Sequence, residues 1–334
     1  MSHSISTRPI GELAIYGAGG GGINIAKEYI DANLSADIAN LSVALLDTSD
    51  SNLSEGNLNN FYAFSSPDGV VDGSGKVKAK NAELISRSIA EVLRKFPPKA
   101  MNIIVYTASG GTGNVAGYNL HKTLLAAGHD VVSVVIASAE SERTAKNTIG
   151  TLLDLSDLAE EVGKPVVIHY GMNGNGVTRA MVDKEAHLII TSLAILASRR
   201  NYGLDTADLK SFLNYTLPRP DIKPTLARIN VYDNVDTFDR DVKEPISVAY
   251  LKRNADEPQP EAFAPYFCDG ILPDVAQANN LFFAIETSSL YGVHADLTKL
   301  RDELASREST RQAAPAFGSI DGGSARPKGG MRLD

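Results

Sequence analysis

The stretch that decides the fold is LAIYGAGGGGINIAKEYI, residues 13–30. An apolar run of strand-forming residues leads into four consecutive glycines, Gly19, Gly20, Gly21 and Gly22, and a segment of helical character follows. Glycines at such a turn leave the backbone amides accessible, and the start of a helix adds partial positive charge. The stretch therefore predicts a strand, a turn that binds an anion such as phosphate, and a helix.

Two other interpretations of this stretch stay open from the residues alone. Gly17, Gly19 and Gly22 fit the dinucleotide pattern G-x-G-x-x-G, and Asp47 ends the next apolar run, LSVALLD, about where a ribose-binding acid is expected. This combination is typical of an NAD-dependent dehydrogenase with a Rossmann site. The third interpretation is a plain tight turn, for which one or two glycines would be enough.

The composition narrows the class of protein. The chain has 334 residues, of which 43% are hydrophobic, so it is long enough for two domains with a substantial core. It contains a single cysteine, Cys268, and no apolar run near the roughly 18 to 20 residues of a membrane span. The net charge of −8 argues against broad nucleic-acid binding, and the six histidines lack metal-site spacing. We therefore expect a cytoplasmic protein with no membrane contact, no direct nucleic-acid contact, and any metal carried in by a ligand.

The order of apolar runs predicts the fold class. As far as about Tyr170, short runs rich in β-branched residues alternate with longer segments of helical periodicity. This alternation predicts an α/β fold, with a parallel sheet wrapped by helices. After Val177, a long segment with the apolar middle AHLIITSLAILA predicts a helix buried between two halves of the molecule. Three later strand-like runs, TLARINVY, ISVAYLKR and NLFFAIET, predict a smaller β-rich domain.

The predicted boundaries are a nucleotide-binding domain at residues 1–176, a central helix at 177–202, a C-terminal domain at 203–285, a C-terminal helix at 286–310 and a flexible tail at 311–334. An apolar stripe with spacings of three and four predicts the C-terminal helix: Leu290, Val293, Leu297, Leu300 and Leu304. The stripe would fold onto its own domain or contact a neighbouring chain. The tail is rich in Gly, Ala, Ser and Pro, which is typical of disorder.

A second glycine-rich turn, SGGTGNVAG at residues 109–117, follows the apolar run NIIVYTA. In a parallel sheet, this turn and the first one open on the same edge, and neither matches the Walker pattern. We expect them to hold one phosphate chain together. Gly110, Gly111 and Gly113 would let the backbone approach the phosphates. Thr112 would offer a hydroxyl, and Asn114 would cap the following helix.

The two turns resemble the nucleotide loops of the tubulin and FtsZ superfamily, where one loop follows the first strand and a GGGTG-like loop follows the fourth. The order of matching motifs extends from about residue 13 to residue 213. The resemblance implies a tubulin-like fold in which the central helix joins a GTP-binding domain to the smaller domain. It also implies GTPase activity, with GTP or GDP and Mg²⁺ as ligands.

The resemblance further assigns residues of the first loops. It implies that the four glycines Gly19 to Gly22 face the phosphates and that Asn24 faces the guanine base. DTSD, which contains Asp47 and Asp50, resembles the loop near the phosphates, so these carboxylates would reach Mg²⁺ through water. DGSGKVKAKN, residues 72–81, resembles the loop that senses the γ-phosphate, although its lysines are alternatively ordinary surface charges.

Later motifs resemble the ribose and base contacts. In SAESERTAKN, Arg143 matches a ribose or phosphate contact, and the acid expected four residues before it is displaced by one position, to Glu140. In YGMNGNG, Asn173 matches the asparagine on the ribose and base side, with Asn175 as the alternative.

Asp183 matches the position that reads guanine in the superfamily. A carboxylate can accept hydrogen bonds from both N1–H and N2–H₂ of guanine. Arg179 lies four residues earlier, so an ion pair with Asp183 on the helix surface is the alternative. The superfamily usually has an aromatic residue at the position of Arg179, where a guanidinium plane would have to replace it.

GLDTAD, residues 203–208, resembles the N-x-D-x-x-D loop of the superfamily, with Gly203 in place of Asn. In the superfamily this loop completes the nucleotide site of the next subunit. The resemblance implies that Asp208 orients or deprotonates the attacking water and that Asp205 assists through the magnesium shell. Such head-to-tail contacts build filaments. The alternative is that Asp205 caps a helix, with Asp208 at its third position.

The smaller domain, the last helix and the tail are most similar to the phage tubulins (PhuZ) and the related plasmid tubulins (TubZ). A phage tubulin implies a GTP-driven spindle that positions phage DNA in an infected bacterium, with tail contacts between subunits. A plasmid-segregation or cell-division homologue is the alternative. The PhuZ tail is expected to be acidic, whereas the residues after Glu308 include four basic and two acidic ones: Arg311, Arg326, Lys328, Arg332, Asp321 and Asp334.

Overall fold

The computed structural model describes residues 10–30, 38–66, 69–70, 81–138, 140–174, 176–261, 263–274, 276 and 279–313. Its central feature is a ten-stranded sheet, beside which β4 and β5 form a separate two-stranded ribbon. The strands, in chain order, are β1 (Gly11–Ala18), β2 (Ala39–Asp47), β3 (Phe61–Ala63), β4 (Ser65–Ser66), β5 (Gly69–Val70), β6 (Met101–Thr107), β7 (Asp130–Ser138), β8 (Val166–Asn173), β9 (Leu226–Tyr232), β10 (Ser247–Lys252), β11 (Tyr266–Ile271) and β12 (Leu281–Glu286).

The strands of the large sheet are ordered β11-β10-β12-β9-β8-β7-β6-β1-β2-β3. Strand β12 is antiparallel to both of its neighbours, β10 and β9, and the other pairs are parallel. The carboxyl ends of β1, β6, β7 and β8 therefore share one edge of the sheet. In an open α/β sheet that edge is where ligands bind.

Eight α-helices accompany these strands in the described part of the chain. They are α1 (Gly19–Ala26), α2 (Ala82–Lys95), α3 (Thr112–Ala126), α4 (Glu142–Val162), α5 (Arg179–Leu196), α6 (Thr206–Leu213), α7 (Val235–Asp241) and α8 (Ser288–Ala313). Local sequence sets their ends: Ser141 and Thr144 form a capping box at the start of α4, and Gly163 ends it with a positive φ of 68°.

Apolar cores lie on both faces of the sheet, because alternate residues of a strand point to opposite faces. Leu13 and Ile15 of β1 pack in the core that includes residues of α1, α5 and α6. Ala14 and Tyr16 pack in the core that includes residues of α2, α3 and α4. With both faces covered, the strand ends and the loops are left to carry a binding site.

The predicted α/β fold class is confirmed, and each strand-like run named in the sequence forms a strand. Two strands of the large sheet were not predicted, β3 and β11. Strand β11 reads YFCDGI, and its Asp and Gly hide the apolar alternation on which a prediction depends. Strands β9 to β12 continue the large sheet instead of forming a second one. The predicted domain boundaries remain a prediction.

The central helix is shorter than predicted, with α5 covering Arg179–Leu196. The Thr178 side chain accepts a hydrogen bond from the Met181 amide and starts the helix. The Asn201 side chain donates to the carbonyls of Ile195 and Leu196, and this ends it. Leu188 of α5 is 53% exposed, so one side of this helix faces solvent. Helix α8 covers Ser288–Ala313, and residues 314–334, where the tail was predicted, lie outside the described residues.

Candidate nucleotide-binding site

The two glycine-rich turns contact each other at the carboxyl edge of the sheet. Gly19 has a φ of +69°, and a Cβ on it would lie 2.7 Å from the Gly113 Cα. A Cβ on Gly113 would in turn lie 2.5 Å from the Ala18 carbonyl oxygen. Real Cβ atoms do not approach other atoms this closely, so both positions require glycine. The predicted juxtaposition of the two turns is therefore present.

A cavity of about 420 Å³ opens beside these turns. Seven of the predicted nucleotide-binding residues line it: Gly20, Gly21, Asn24, Gly110, Glu140, Asn173 and Asp183. They come from α1, from the loops after β6 and β7, and from β8 and α5, which meet only in the folded sheet. Its size and its polar side chains suit a ligand with several hydrogen-bonding groups.

Arg179, considered from the sequence as a replacement for the aromatic residue, also lines the cavity, as do six residues that were not predicted: Asn52, Thr107, Ser109, Ile136, Ser138 and Val182. Asn52 lies on the loop after β2, and its Nδ2 would be 2.8 Å from a Cβ on Gly20. Thr107 and Ser138 are the last residues of their strands. Because they end strands, Thr107 and Ser138 could have been identified from the sequence as candidates for this edge of the sheet. No comparable feature of the sequence identifies Asn52.

Other predicted residues lie outside the cavity lining. Thr112 is buried, and its Oγ1 lies 2.9 Å from the Thr48 Oγ1. Arg143 is exposed on the first turn of α4. Gly19, Gly22, Gly111, Gly113 and Asn114 also do not line the cavity. The glycines shape the turns, and Asn175 lies outside the described residues, as do residues 72–80 of the predicted γ-phosphate loop.

The predicted cap of α3 by Asn114 is wrong. Gly111 occupies the cap position, with no side-chain hydrogen bond to the helix. The Asn114 amide instead donates to the Ala108 carbonyl, at 2.6 Å, and to the Thr151 hydroxyl. Asn114 is buried, and it joins the second glycine turn to α4. Its role in the structure is therefore to fix this turn.

One end of the cavity is lined by a charged cluster. Arg179 donates from Nη2 to both carboxylate oxygens of Glu140, at 2.8 and 2.9 Å. Asn173 donates from Nδ2 to Glu140 Oε1 at 3.2 Å. The alternative of an Arg179–Asp183 ion pair is wrong, because the Arg179 guanidinium is directed across the cavity to Glu140. Asp183 is exposed on the α5 wall.

Asp47 and Asp50 differ in their surroundings. Asp47 is buried and accepts a hydrogen bond from the Thr48 amide at 2.7 Å, and burial raises the pKa of its carboxyl. Asp50 is exposed on the loop that carries Asn52. Mg²⁺ bound mainly by phosphates and waters needs only one or two carboxylates. Neither Asp47 nor Asp50 lines the cavity, so a contact of either carboxylate with Mg²⁺ through water remains a prediction.

The loop GLDTAD lies at the opposite pole of the molecule. The Asp205 carboxylate accepts hydrogen bonds from the amides of Ala207 and Asp208, at 2.7 and 2.9 Å. The Asp208 Oδ2 in turn accepts a hydrogen bond from the Asp205 amide at 3.1 Å. This is a capping box at the start of α6, so the structural role predicted as the alternative is present. Asp205 remains exposed and Asp208 partly exposed.

Two features show that these carboxylates lie far from the nucleotide cavity. Asp205 lines a second cavity, of about 300 Å³, together with Met101 and Asp130, the first residues of β6 and β7. The 420 Å³ cavity is lined by Thr107 and Ser138, the last residues of the same strands. Helix α5 runs from one cavity to the other, and its 18 residues span about 27 Å. The two sites therefore lie at opposite ends of the central helix.

The described residues contain no cluster of three or more His, Cys, Asp or Glu side chains that could hold a metal ion. None of the helices in the described ranges is both long and apolar enough to cross a bilayer.

Comparison with known proteins decides the family. No protein-family model matches the chain. The chain is 30% identical over 254 residues to a phage tubulin-like protein of Pseudomonas phage PhiPA3, covering 75% of this chain and 80% of that relative. This chain belongs to the phage tubulin-like proteins. It is also 30% identical over 188 residues to the phage tubulin-like protein of Pseudomonas phage phiKZ, covering 55% of this chain and 56% of that relative.

Solved structures show the same fold as this phage tubulin-like protein. The TubZ protofilament from bacteriophage PhiKZ has a TM-score of 0.80 at 22% identity, covering 96% of each chain. The phage tubulin PhuZ with GDP has a TM-score of 0.81 at 20% identity, covering 89% of this chain and 92% of that one. Together with the 30% identity to the phage tubulin-like protein of PhiPA3, this shared fold confirms the resemblance to the tubulin and FtsZ superfamily. For this phage tubulin-like protein, the family favours a tubulin-like function over the dehydrogenase alternative.

Proposed function

We propose that this protein is a GTPase that assembles head to tail, with the α6 loop of one copy completing the nucleotide cavity of the next. One observation carries the proposal: the cavity and the Asp205–Asp208 loop lie at opposite ends of α5, about 27 Å apart. Carboxylates at that distance cannot act on a nucleotide in their own chain. A head-to-tail contact between copies would bring the two poles together.

The chemistry of the cavity supports a guanine nucleotide as its ligand. Asp183 would accept from guanine N1–H and N2–H₂, and Asn24 would contact the base from α1. Glu140 and Asn173 line the same cavity, and we propose that they contact the ribose. The backbone at Gly20, Gly21 and Gly110 would approach the phosphates. The phage tubulin PhuZ, which shares this fold, has been solved with GDP.

Magnesium would enter with the phosphates of GTP. Its contribution is to neutralise the negative charge of the phosphate chain. The carboxylates proposed to contact it through water are Asp50, which is exposed, and Asp47, which accepts a hydrogen bond from the Thr48 amide.

Hydrolysis would take place at the contact between two copies. Asp208 would orient a water molecule and accept its proton as the water oxygen bonds to the γ-phosphorus. The bond from that phosphorus to the β,γ-bridging oxygen breaks, which releases GDP and inorganic phosphate. Asp205 would assist by orienting water in the metal shell. The capping box holds both carboxylates in place before the contact forms.

Filament formation and a phage role are parts of the same proposal. The TubZ protofilament of bacteriophage PhiKZ and the PhuZ201 filament, at TM-scores of 0.80 and 0.79, share this fold. We propose that the filament acts as a spindle that positions phage DNA in the host cytoplasm. The net charge of −8 supports contact with DNA through another protein. The tail would contact neighbouring subunits.

The test is to measure sedimentation and phosphate release of the full chain with GTP, GDP or NAD over a range of protein concentrations. We expect GTP alone to give polymer that is visible by negative stain. Turnover per molecule should rise steeply above the concentration at which polymer forms, because each active centre needs two copies. Full turnover by dilute monomers would overturn the shared site, and retention of NAD with indifference to GTP would favour the dehydrogenase.

A further inference from the structure

The ion pair between Arg179 and Glu140 crosses the end of the nucleotide cavity. Glu140 follows strand β7, and Arg179 is the first residue of α5, so the pair joins two walls that are separate in the sequence. The guanidinium Nη2 reaches both carboxylate oxygens, at 2.8 and 2.9 Å. Both side chains also line the cavity. The contact therefore closes part of the space that a ligand would occupy or pass.

Asn173 lines the same cavity and contacts Glu140. It is 7% exposed, and its Nδ2 donates to Glu140 Oε1 at 3.2 Å. Its Oδ1 is buried and has no hydrogen-bond partner within the described part of the chain. A buried amide oxygen without a partner costs free energy, and a donor group on a bound ligand would satisfy it. Ribose hydroxyls are donors of that kind.

We propose that the Arg179–Glu140 pair is a clasp that sets how long a nucleotide stays in the cavity. The inference rests on the proposed function, since it assumes a guanine nucleotide in this site. With the nucleotide inside, the clasp holds the α5 wall to the loop after β7, and release requires the two side chains to separate. Removing the pair therefore speeds release.

The surroundings of the pair set the size of the effect. The side chains are 74% and 44% exposed, so water and salt screen their attraction. Exposed pairs of this kind contribute modestly, which corresponds to a change in release rate of about two- to five-fold. The screening also predicts that release from the wild-type chain accelerates as salt rises. Variants without the pair should show little of that dependence.

The experiment measures dissociation of a fluorescent GDP analogue from the full chain by stopped flow, at a protein concentration below assembly. The variants are Arg179→Gln, Glu140→Gln and the double variant. Arg87→Gln is the matched control, because Arg87 forms an exposed ion pair with Glu83 on α2 and does not line the cavity. We expect Arg179→Gln to release the analogue two- to five-fold faster than the wild-type chain. The double variant should release it at the same rate as Glu140→Gln alone.

Each contrary result has a distinct meaning. Release from Arg179→Gln at the wild-type rate, or more slowly, overturns the clasp while the proposed function stands. Additive effects in the double variant overturn it as well, because they show that Arg179 acts without Glu140. If the wild-type chain fails to bind the GDP analogue at all, the proposed function fails, and the clasp fails with it.

Discussion

Gly19 and Gly113 touch across the two glycine turns, with no room for a side-chain carbon on either. We expect Gly113→Ala to push the turns apart, because its Cβ would lie 2.5 Å from the Ala18 carbonyl oxygen. The phosphate-binding backbone would then be displaced. Guanine-nucleotide affinity, measured by fluorescence titration, should fall by at least about ten-fold. The free energy of unfolding should fall by about 1–3 kcal/mol, which lowers the melting temperature by several degrees.

The matched control for this change is Gly56→Ala. A Cβ on Gly56 meets nothing within 4 Å. The nucleotide affinity and melting temperature of the Gly56→Ala variant should equal those of the wild-type chain. Wild-type affinity in Gly113→Ala would show that the contact between the turns does not shape the site.

Asp208 should be required for turnover and dispensable for nucleotide binding. The Asp208 side chain lies on the pole opposite the cavity of its own chain, so Asp208→Ala leaves that cavity intact. We expect GTP binding and polymer formation to persist while phosphate release falls by about 10²–10⁴-fold, the usual range for a lost general base. Binding is checked by titration, and turnover by phosphate release per unit of pelleted polymer.

Asp236→Ala is the control for Asp208→Ala, since Asp236 lies in the first turn of another helix, α7. It should hydrolyse GTP at the wild-type rate. Undiminished turnover in Asp208→Ala filaments would remove the catalytic role of Asp208.

Two substitutions at Asp205 separate its capping role from its proposed role in hydrolysis. Asn is as good a helix cap as Asp, so Asp205→Asn should keep the hydrogen bonds to the α6 amides and the wild-type stability. Asp205→Ala should lower the free energy of unfolding by about 1 kcal/mol. Both variants should hydrolyse GTP more slowly than the wild-type chain, because the proposed role of Asp205 in hydrolysis requires its negative charge. Full turnover in Asp205→Asn would leave Asp205 with a structural role alone.

Two buried histidines make stability depend on pH. Burial lowers the pKa of His121 to about 3 and that of His169 to about 4. In the unfolded chain their pKa returns to about 6.5, so between pH 6.5 and 4 the unfolded state holds more protons. Stability is therefore complete above pH 6.5 and is lost as the pH falls. Each histidine contributes up to about 1.4 kcal/mol per pH unit.

Urea unfolding at several pH values measures this dependence. Asp47, Asp130 and Glu185 have raised pKa values, so their contributions to stability increase as the pH falls, opposite to those of the histidines. The slope of unfolding free energy against pH is therefore compared between the wild-type chain and single variants. His121→Gln should reduce the slope, whereas His294→Gln, at an exposed position, should keep it. An unchanged slope in His121→Gln would contradict a neutral buried His121.

The sequence by itself determined the β-α alternation as far as Tyr170, three later strands and the two glycine turns, and it offered the cap of α6 as an alternative. Each of these depends on neighbouring residues: glycines that leave backbone accessible, alternating apolar residues, and an acid that bonds the amides two and three positions on. A parallel sheet brings successive strand ends to one edge, so the meeting of the turns at residues 17–22 and 109–117 also followed.

The tertiary structure decided which side chains face the cavity and which only support it. Arg179 contacts Glu140, 39 residues away in the sequence, instead of its helix neighbour Asp183. Asn114 donates to the Ala108 carbonyl and to Thr151 of α4 instead of capping the start of α3. Asn52 reaches the first glycine turn from another loop. The physical reason is that a polar side chain selects among partners brought together by packing of the whole sheet, and sequence spacing contains no measure of those distances.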